Sequence, residues 1–265
     1  MTGPVNHMSK SSLQPDTRDR INDLAVKGEI QRWQPATLIG GGEDITVPRL
    51  MPKRLYAAII SQFLHGERAT AKLCRRLIGA IDDPVVHRFL VTQIADETRH
   101  AEAYARYLDH LGGARAVDAN FGQALNQALE WSGPPQAWML GFHVLLEGEA
   151  LRTLADFQEF WPCPVFRRMN ALISRDGARH VDFGKLFLRD TLPRMAAAER
   201  RAIYHQLDVF WRDVGGGLLA DTWVPGIFTR GLRQRWLDDG WRHHCRAFAD
   251  VGLLPSRQIS EGAAA

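Results

Sequence analysis

The chain has 265 residues and 45% hydrophobic content, which is enough for one large helical domain with its own core. Its formal net charge of +3 arises from basic residues that are spread among acidic ones, so we expect no nucleic-acid-binding surface. The three cysteines are widely separated, which predicts neither disulfides nor a thiolate metal site. The sequence has no apolar run near the roughly 18 residues of a membrane span and no hydrophobic signal core, so we expect a cytoplasmic protein without membrane contact.

In chain order, the sequence predicts three parts. Residues 1–50 are rich in Ser, Gly, Pro, Asn and Asp, with a brief helical pattern near 21–33, and predict a loosely ordered arm. Residues 51–192 predict four long helices, separated by proline and glycine signals near 82–84, 112–113 and 161–164. Residues 193–265 contain two further helical patterns, which we expect to pack on the bundle as an extension.

In the second long helix, a glutamate and a histidine lie three residues apart. Glu97 and His100 are separated by about 60° around a helix and roughly 4.5 Å along it, so both can reach one metal ion. Apolar residues from Leu90 to Leu111 recur three and four positions apart, and Glu97 lies inside their stripe. A metal ligand within a core-facing stripe is the arrangement that an inward site requires.

This motif recurs in altered form later in the chain. Asp96-Glu97-Thr98-Arg99-His100 and Asp176-Gly177-Ala178-Arg179-His180 share Asp, Arg and His at the same spacing. A lone glutamate in an apolar helix precedes each motif. Four-helix bundles that bind two iron or manganese ions use one Glu from each of two helices and Glu-x-x-His from each of the other two. The chain has five of these six ligands, namely Glu67, Glu97, His100, Glu147 and His180.

These motifs resemble those of the ferritin-like dimetal-carboxylate superfamily, in its branch of bacterial diiron oxygenases with ribonucleotide-reductase-small-subunit-like helices. The matching segments, within about 55–192, are Phe63–Glu67, Asp96–Leu108, Glu147–Leu151 and Asp176–Gly184. The resemblance implies an all-α fold, a ferritin-like four-helix bundle with additional C-terminal helices. Gly177 is the departure, because it stands where the family has its last metal-binding glutamate.

Carboxylates and imidazoles without thiolates suit iron and manganese better than copper or structural zinc. We expect two iron ions, with manganese as the alternative, and O₂ as co-substrate. The resemblance implies a non-haem iron oxidase or oxygenase that acts on a small organic substrate, with specialised metabolism as a candidate setting, and uses an external electron donor. We assign no catalytic residue beyond the metal centre, and we expect a homodimer because soluble proteins commonly form symmetric dimers.

The resemblance also implies roles for residues beside the ligands. In the family, the aspartate of one motif orients the histidine of the other, which pairs Asp176 with His100 and Asp96 with His180. The arginines that would neutralise these acids are Arg99 and Arg179. The alternative for both arginines is an ion pair at the surface.

Gly177 leaves three alternatives for the sixth ligand. Asp176 lies about 40° from His180 around the helix and could swing in as a ligand. His143 precedes Glu147 by one turn on the same face and could supply a nitrogen. In the third alternative, the site stays one carboxylate short and keeps an open position or a single metal ion, as catalytic sites can.

Two other functions compete with an oxygenase. One is metal handling, as in ferritin-like ferroxidases, and the other is a non-catalytic binding or scaffold protein with an impaired or mononuclear metal site. The basic, arginine-rich composition counts against metal handling, because a ferritin-like cage needs acidic entry channels. The ligands that are retained would destabilise an empty bundle through uncompensated charge, so we favour a working, modified metal centre.

Overall fold

A computed structural model describes residues 13–40, 45–47, 52–218 and 226–254. Within these ranges the regular elements are helices, so the predicted all-α class is confirmed, and no helix there is long and apolar enough to span a bilayer. The α-helices, labelled in chain order, are α1 (Pro15–Ile30), α2 (Pro35–Leu38), α3 (Lys53–Ala80), α4 (Pro84–Asp109), α5 (Ala119–Leu129), α6 (Pro135–Met139), α7 (Glu147–Phe160), α8 (Pro164–Thr191), α9 (Ala197–Leu218) and α10 (Gly226–Asp250). A π-helical turn, Leu140–Leu146, connects α6 to α7, and a 3-10 turn, Leu192–Arg194, follows α8.

Helix α4 shows how local sequence signals set the bundle. Asp83 caps its N-terminus, since the carboxylate accepts a hydrogen bond from the backbone N–H of Val85 at 2.9 Å. Pro84 follows at the first helical position, where a missing N–H costs no hydrogen bond. Gly112 and Gly113 lie beyond its C-terminus with φ of 90° and 89°, a conformation that favours glycine. The helix therefore begins and ends close to the predicted positions.

The middle of the bundle is polar, and an apolar cluster lies on either side of it along the helix axes. One cluster contains the residues of α3 and α8 that follow the predicted ligands and the residues of α4 that precede them. The other cluster contains the reverse set. Antiparallel neighbours in a helix bundle produce this alternation. The two clusters therefore separate the polar middle from solvent at both ends of the bundle.

The N-terminal part corrects the predicted loose arm. Residues 15–38 form α1 and α2, and α1 packs against α4 and α8 with Ile21, Ala25 and Gly28 buried. A Cβ at Gly28 would lie 2.6 Å from Thr92 Cγ2, so the glycine permits the close approach of α1 to α4. The polar composition of this segment conceals a narrow stripe of small and apolar residues. Other parts of the predicted arm, residues 1–12, 41–44 and 48–50, lie outside the described part of the chain.

Helices α9 and α10 cover one side of the bundle. Helix α9 lies against α5, and both α9 and α10 contact the π-helical turn. A Cβ at Gly240 would collide with the ring of Trp211, so glycine is required where these two helices cross. The Trp211 side chain is buried and donates a hydrogen bond to the backbone carbonyl of Leu237 at 2.8 Å. Residues 255–265 of the predicted extension lie outside the described part.

Candidate metal centre

The structure brings the five predicted ligands together in the polar middle of the bundle. They form two groups, the first with Glu67, Glu97 and His100, and the second with Glu97, Glu147 and His180. Within each group, one ligand atom from every residue lies within 4.8 Å of the others. Glu97 belongs to both groups, so the arrangement offers positions for two ions that share one carboxylate.

The two oxygens of Glu97 face different histidines. Its Oε2 lies 3.3 Å from Nδ1 of His100, and its Oε1 lies 3.2 Å from Nδ1 of His180. The outer glutamates complete the two groups, since Glu67 Oε2 lies 3.3 Å from the first imidazole and Glu147 Oε1 lies 3.5 Å from the second. Glu97 Oε2 and His180 Nδ1 are buried and have no hydrogen-bond partner among the described residues. Buried polar atoms that lack a partner are costly, and cations bound in the two groups would remove that cost.

Crowding of carboxylates shifts their protonation. Burial raises the pKa of Glu67 well above its ordinary value, and the charge of Glu97 raises it further. Burial and Glu97 also raise the pKa of Glu147. Burial raises the pKa of Glu97 as well, but contacts with His180 and His100 outweigh this effect and hold that pKa well below its ordinary value. Without a bound cation, the outer glutamates thus favour the neutral form, and the shared glutamate is the ionised one.

A carboxylate from the facing helix holds each imidazole. His100 on α4 donates from Nε2 to Asp176 Oδ2 on α8 at 3.3 Å, and His180 on α8 donates from Nε2 to Asp96 Oδ2 on α4 at 3.2 Å. In the neutral form of each ring, which is the form that binds a metal ion, a proton on Nε2 leaves the Nδ1 lone pair directed at the ligand group. This crossed arrangement has the geometry that orients metal-binding histidines in proteins.

Two buried arginines bridge the two aspartates. Arg99 contacts Asp96 and lies 3.4 Å from Asp176, while Arg179 contacts Asp176 at 2.8 Å and Asp96 at 3.0 Å. Both guanidinium groups are buried, with side chains 9% and 8% exposed, and are not surface ion-pair partners. Burial raises the pKa of Asp176, but the hydrogen bond from His100 and the charge of Arg179 outweigh it and lower the pKa. Both aspartates are therefore ionised and compensated.

Trp33 also reaches this network, and the sequence analysis did not find it. Its indole Nε1 donates to Asp176 Oδ2 at 2.8 Å, and its ring stacks on His100 with 6.1 Å between centroids. The guanidinium of Arg99 lies 5.5 Å from the same ring. The one sequence signal was a tryptophan at the end of the brief helical pattern near 21–33, and no spacing rule links that position to the distant helices.

His143 lies two hydrogen bonds away from the shared carboxylate, outside both ligand groups. Its Nε2 donates to Gln93 Oε1 at 2.9 Å, and Gln93 Nε2 donates to Glu97 Oε1 at 2.9 Å. Burial lowers the pKa of His143 to about 3, so the ring is neutral at physiological pH. The predicted alternative in which His143 replaces the missing ligand is therefore not realised, because Gln93 lies between His143 and Glu97.

Gly177 faces the second ligand group. A Cβ at this position would lie 3.5 Å from Glu147 Oε2 and 3.3 Å from Leu151 Cδ2. The other proposed replacement, Asp176, lies outside both groups and accepts hydrogen bonds from His100 and Trp33 instead. The described residues thus form a five-ligand arrangement with three carboxylates and two histidines.

The solved structures that share this architecture include R2-like ligand-binding oxidases, whereas no family model and no curated protein matches the sequence. An R2-like ligand-binding oxidase variant with an anaerobically reconstituted Mn/Fe cofactor has a TM-score of 0.63 at 16% identity, covering 90% of this chain and 97% of that chain. A variant with an aerobically reconstituted Mn/Fe cofactor gives 0.62 at 16% identity, covering 84% and 91%. The R2-like ligand-binding oxidase from Sulfolobus acidocaldarius gives 0.60 at 18% identity, covering 90% and 93%.

The chain has the fold of the R2-like ligand-binding oxidases. The predicted ferritin-like helical fold is therefore confirmed. At 16–18% identity, this similarity establishes the architecture alone. The role of each side chain rests on the geometry of this chain.

A cavity of about 350 Å³ reaches the ligand groups between α3 and α7. Glu67 and Glu147 line it, and their side chains are 14% and 12% exposed, whereas the side chain of Glu97 is fully buried. Ligand sites for small molecules typically have volumes of about 300–1,000 Å³. The R2-like oxidase fold thus leaves the α3–α7 side of the cluster accessible to a small molecule.

Proposed function

We propose that the protein is a dimetal oxidase that uses O₂ to oxidise a small organic substrate held in the cavity. The observation that carries this proposal is the shared carboxylate of Glu97, whose two oxygens face two histidine-containing groups at the end of a cavity. The mixed oxygen and nitrogen donors and the unpartnered buried atoms among them fit a pair of divalent ions. The neighbours in fold that carry Mn/Fe support the same proposal.

Glu67, Glu97 and His100 would hold one ion, and Glu97, Glu147 and His180 would hold the other. We propose iron at one or both positions, with manganese as the alternative. When bound, such ions supply the chemistry of O₂ reduction that amino-acid side chains lack. Insertion of one oxygen atom into a substrate and reduction of the other to water require two electrons beyond the two from the substrate. An external electron donor is therefore part of the proposal.

The protein's own contribution is to fix the ligands and to keep the site dry. Asp96 and Asp176 keep the histidine Nε2 atoms protonated and their Nδ1 atoms free. Gln93 fixes one oxygen of the shared Glu97. The apolar clusters on either side of the ligands keep water away from two sides, so that a substrate enters through the cavity.

The test is O₂ consumption by protein loaded anaerobically with Fe(II) and then mixed with oxygenated buffer. We expect consumption faster than that of free Fe(II), and we expect His100→Ala to reduce it to the rate of free Fe(II). A matched control is His65→Ala, because His65 lies on α3 outside both ligand groups. Wild-type protein that consumes no more O₂ than free Fe(II) would overturn the oxidase proposal.

A non-catalytic binding protein is the second candidate, and the missing carboxylate at Gly177 is the observation that favours it. Gly177→Glu distinguishes the two, because its side chain would be directed at Glu147 in the second ligand group. If the ligand groups bind metal ions, this variant should bind them more tightly than the wild type does. If Gly177→Glu and His100→Ala both leave metal content and stability unchanged, the binding-protein function is the better account.

A further inference from the structure

The cavity beside the ligand groups has an uneven chemical lining. Its wall is largely apolar, and the described residues that line it include acidic side chains but no lysine, arginine or histidine. Two of the acids, Glu67 and Glu147, belong to the ligand groups at its inner end. The other acids lie elsewhere along the lining, and they are Asp118, Glu149 and Asp156.

These three acids differ in how they are compensated. Glu149 is buried and forms a two-pronged ion pair with Arg152, at 2.8 and 3.0 Å. Asp156 is exposed, and Asp118 caps α5 by accepting hydrogen bonds from backbone N–H groups. Neither Asp118 nor Asp156 forms an ion pair with a described residue. The charge of Asp156 acts on Arg152, which also pairs with Glu149, whereas Asp118 has no such partner among the described residues. One guanidinium thus stands against three carboxylates, and the border of the cavity keeps a net negative charge in the described part of the chain.

Aromatic rings line the same cavity. Phe63 and Phe157 pack edge to face with 5.7 Å between centroids, and Phe121 and Trp236 contribute further rings. Aromatic faces accommodate hydrocarbon and also attract cations through their quadrupoles. The cavity thus combines an apolar, aromatic wall with acidic side chains, which we call its acidic border. This combination favours binding of an organic cation and disfavours binding of a carboxylate.

We propose that the substrate of this cavity is an apolar amine, bound as the ammonium ion. Its charged group lies near Asp118 and Asp156, and its hydrocarbon part extends along the aromatic wall toward Glu67 and Glu147. This inference rests on the proposed function, since it takes the cavity as the substrate site of a dimetal oxidase. A fatty acid with a hydrocarbon chain as long as that of the amine would place its carboxylate near Asp118 and Asp156, and the like charges would repel each other.

The test compares octylamine, octanol and octanoate, which share one hydrocarbon chain and differ in head-group charge. Binding to Mn(II)-loaded protein without O₂ is measured by isothermal titration calorimetry at pH 7. We expect octylamine to bind at least ~10-fold more tightly than octanoate, from contacts with two carboxylates, the exposed Asp156 and the partly buried Asp118, of up to roughly fivefold each. We expect octanol to fall between them. Octanoate affinity equal to or above that of octylamine, or no measurable binding of any of the three, overturns the proposal.

Two variants test whether Asp118 and Asp156 cause the preference for octylamine. Asp118→Asn keeps a good helix cap, and Asp156→Asn changes an exposed side chain, so neither should prevent folding. Each should weaken octylamine binding by about two- to fivefold and leave octanol binding unchanged. Asp182→Asn is the matched control, because Asp182 is exposed on α8 and does not line the cavity. Equal weakening of amine and alcohol binding would overturn the assignment.

Metal content and O₂ consumption of the same preparations separate this inference from the proposed function. A protein that holds two ions and consumes O₂ but prefers octanoate has the proposed oxidase function and another substrate class. A protein that binds octylamine with the expected preference but holds no metal supports the cavity assignment and contradicts the oxidase function.

Discussion

The two halves of the ligand cluster are stabilised in different ways. On α4 and α8, Asp96 and Asp176 are buried, and Arg99 and Arg179 compensate their charges. On α3 and α7, the outer glutamates line a cavity and contact histidines but no arginine. The α4–α8 half is therefore organised by the protein's own charges, whereas the α3–α7 half needs a bound cation to hold its carboxylates ionised. The α3–α7 half, the open half, is also the one that borders the cavity.

The largest effect is expected from the compensated half. Asp176→Leu would remove one of the two carboxylate partners of Arg179 and the acceptor of the His100 N–H, and it should lower the free energy of unfolding by about 3–5 kcal/mol. Urea unfolding of the metal-free protein measures this change. Asp182→Leu, at an exposed position of the same helix, should stay within about 0.5 kcal/mol. A loss below 1 kcal/mol in Asp176→Leu would show that the buried ion network does not organise this half.

In the α3–α7 half, a substitution should affect metal binding and leave stability unchanged. Glu147→Gln should leave the metal-free protein about as stable as wild type, because burial raises the pKa of Glu147 and favours its neutral form. The same change removes a ligand of the second group, and it should weaken Mn(II) binding by at least ~100-fold, a larger loss than the 10–100-fold typical of residues behind the ligands. Calorimetric titration with Mn(II) measures the affinity. Marked destabilisation without loss of metal binding would reverse the comparison between the two halves.

Gln93 joins the halves through the shared ligand, and its replacement should have a smaller effect. Gln93→Leu removes the hydrogen bond to Glu97 Oε1, and it should lower Mn(II) affinity by about tenfold. Gln93→Asn serves as the conservative comparison, since it keeps an amide N–H donor. Unchanged affinity in Gln93→Leu would mean that the His143–Gln93 chain does not position the shared carboxylate.

The pH dependence should show the smallest effect. Burial raises the pKa of Glu67 and Glu147, and for His100 and His180 the nearby glutamates outweigh burial and raise the pKa too. A group with a raised pKa in the folded state stabilises the protein below its unfolded pKa, and this contribution is lost as pH rises through the folded value. The melting temperature of metal-free protein should therefore fall by a few degrees from pH 5 to pH 8. Scanning calorimetry checks this, and a rise over the same range would contradict the account.

The candidate ligands could be predicted from the sequence because helix geometry is local. Glu97 and His100 lie three residues apart on one helix, so their convergence follows from its periodicity. Trp33 and Gln93 contact the site through the packing of α1 and through a hydrogen bond that no motif specifies. The cavity likewise depends on how α3, α5, α7 and α10 pack, and such distant contacts cannot be obtained from spacing within one helix. The loose arm was a wrong prediction for residues 15–38 because polar composition outweighed the buried stripe of α1.

The most direct test of the dimetal site is the metal content per chain. Protein loaded anaerobically with Fe(II) or Mn(II) and freed of loosely bound ions is analysed by elemental mass spectrometry. The two ligand groups that share Glu97 predict about two ions per chain. A value near one would contradict the dimetal site and indicate that Gly177 leaves the second group too weak, and a value near zero would contradict the metal centre altogether.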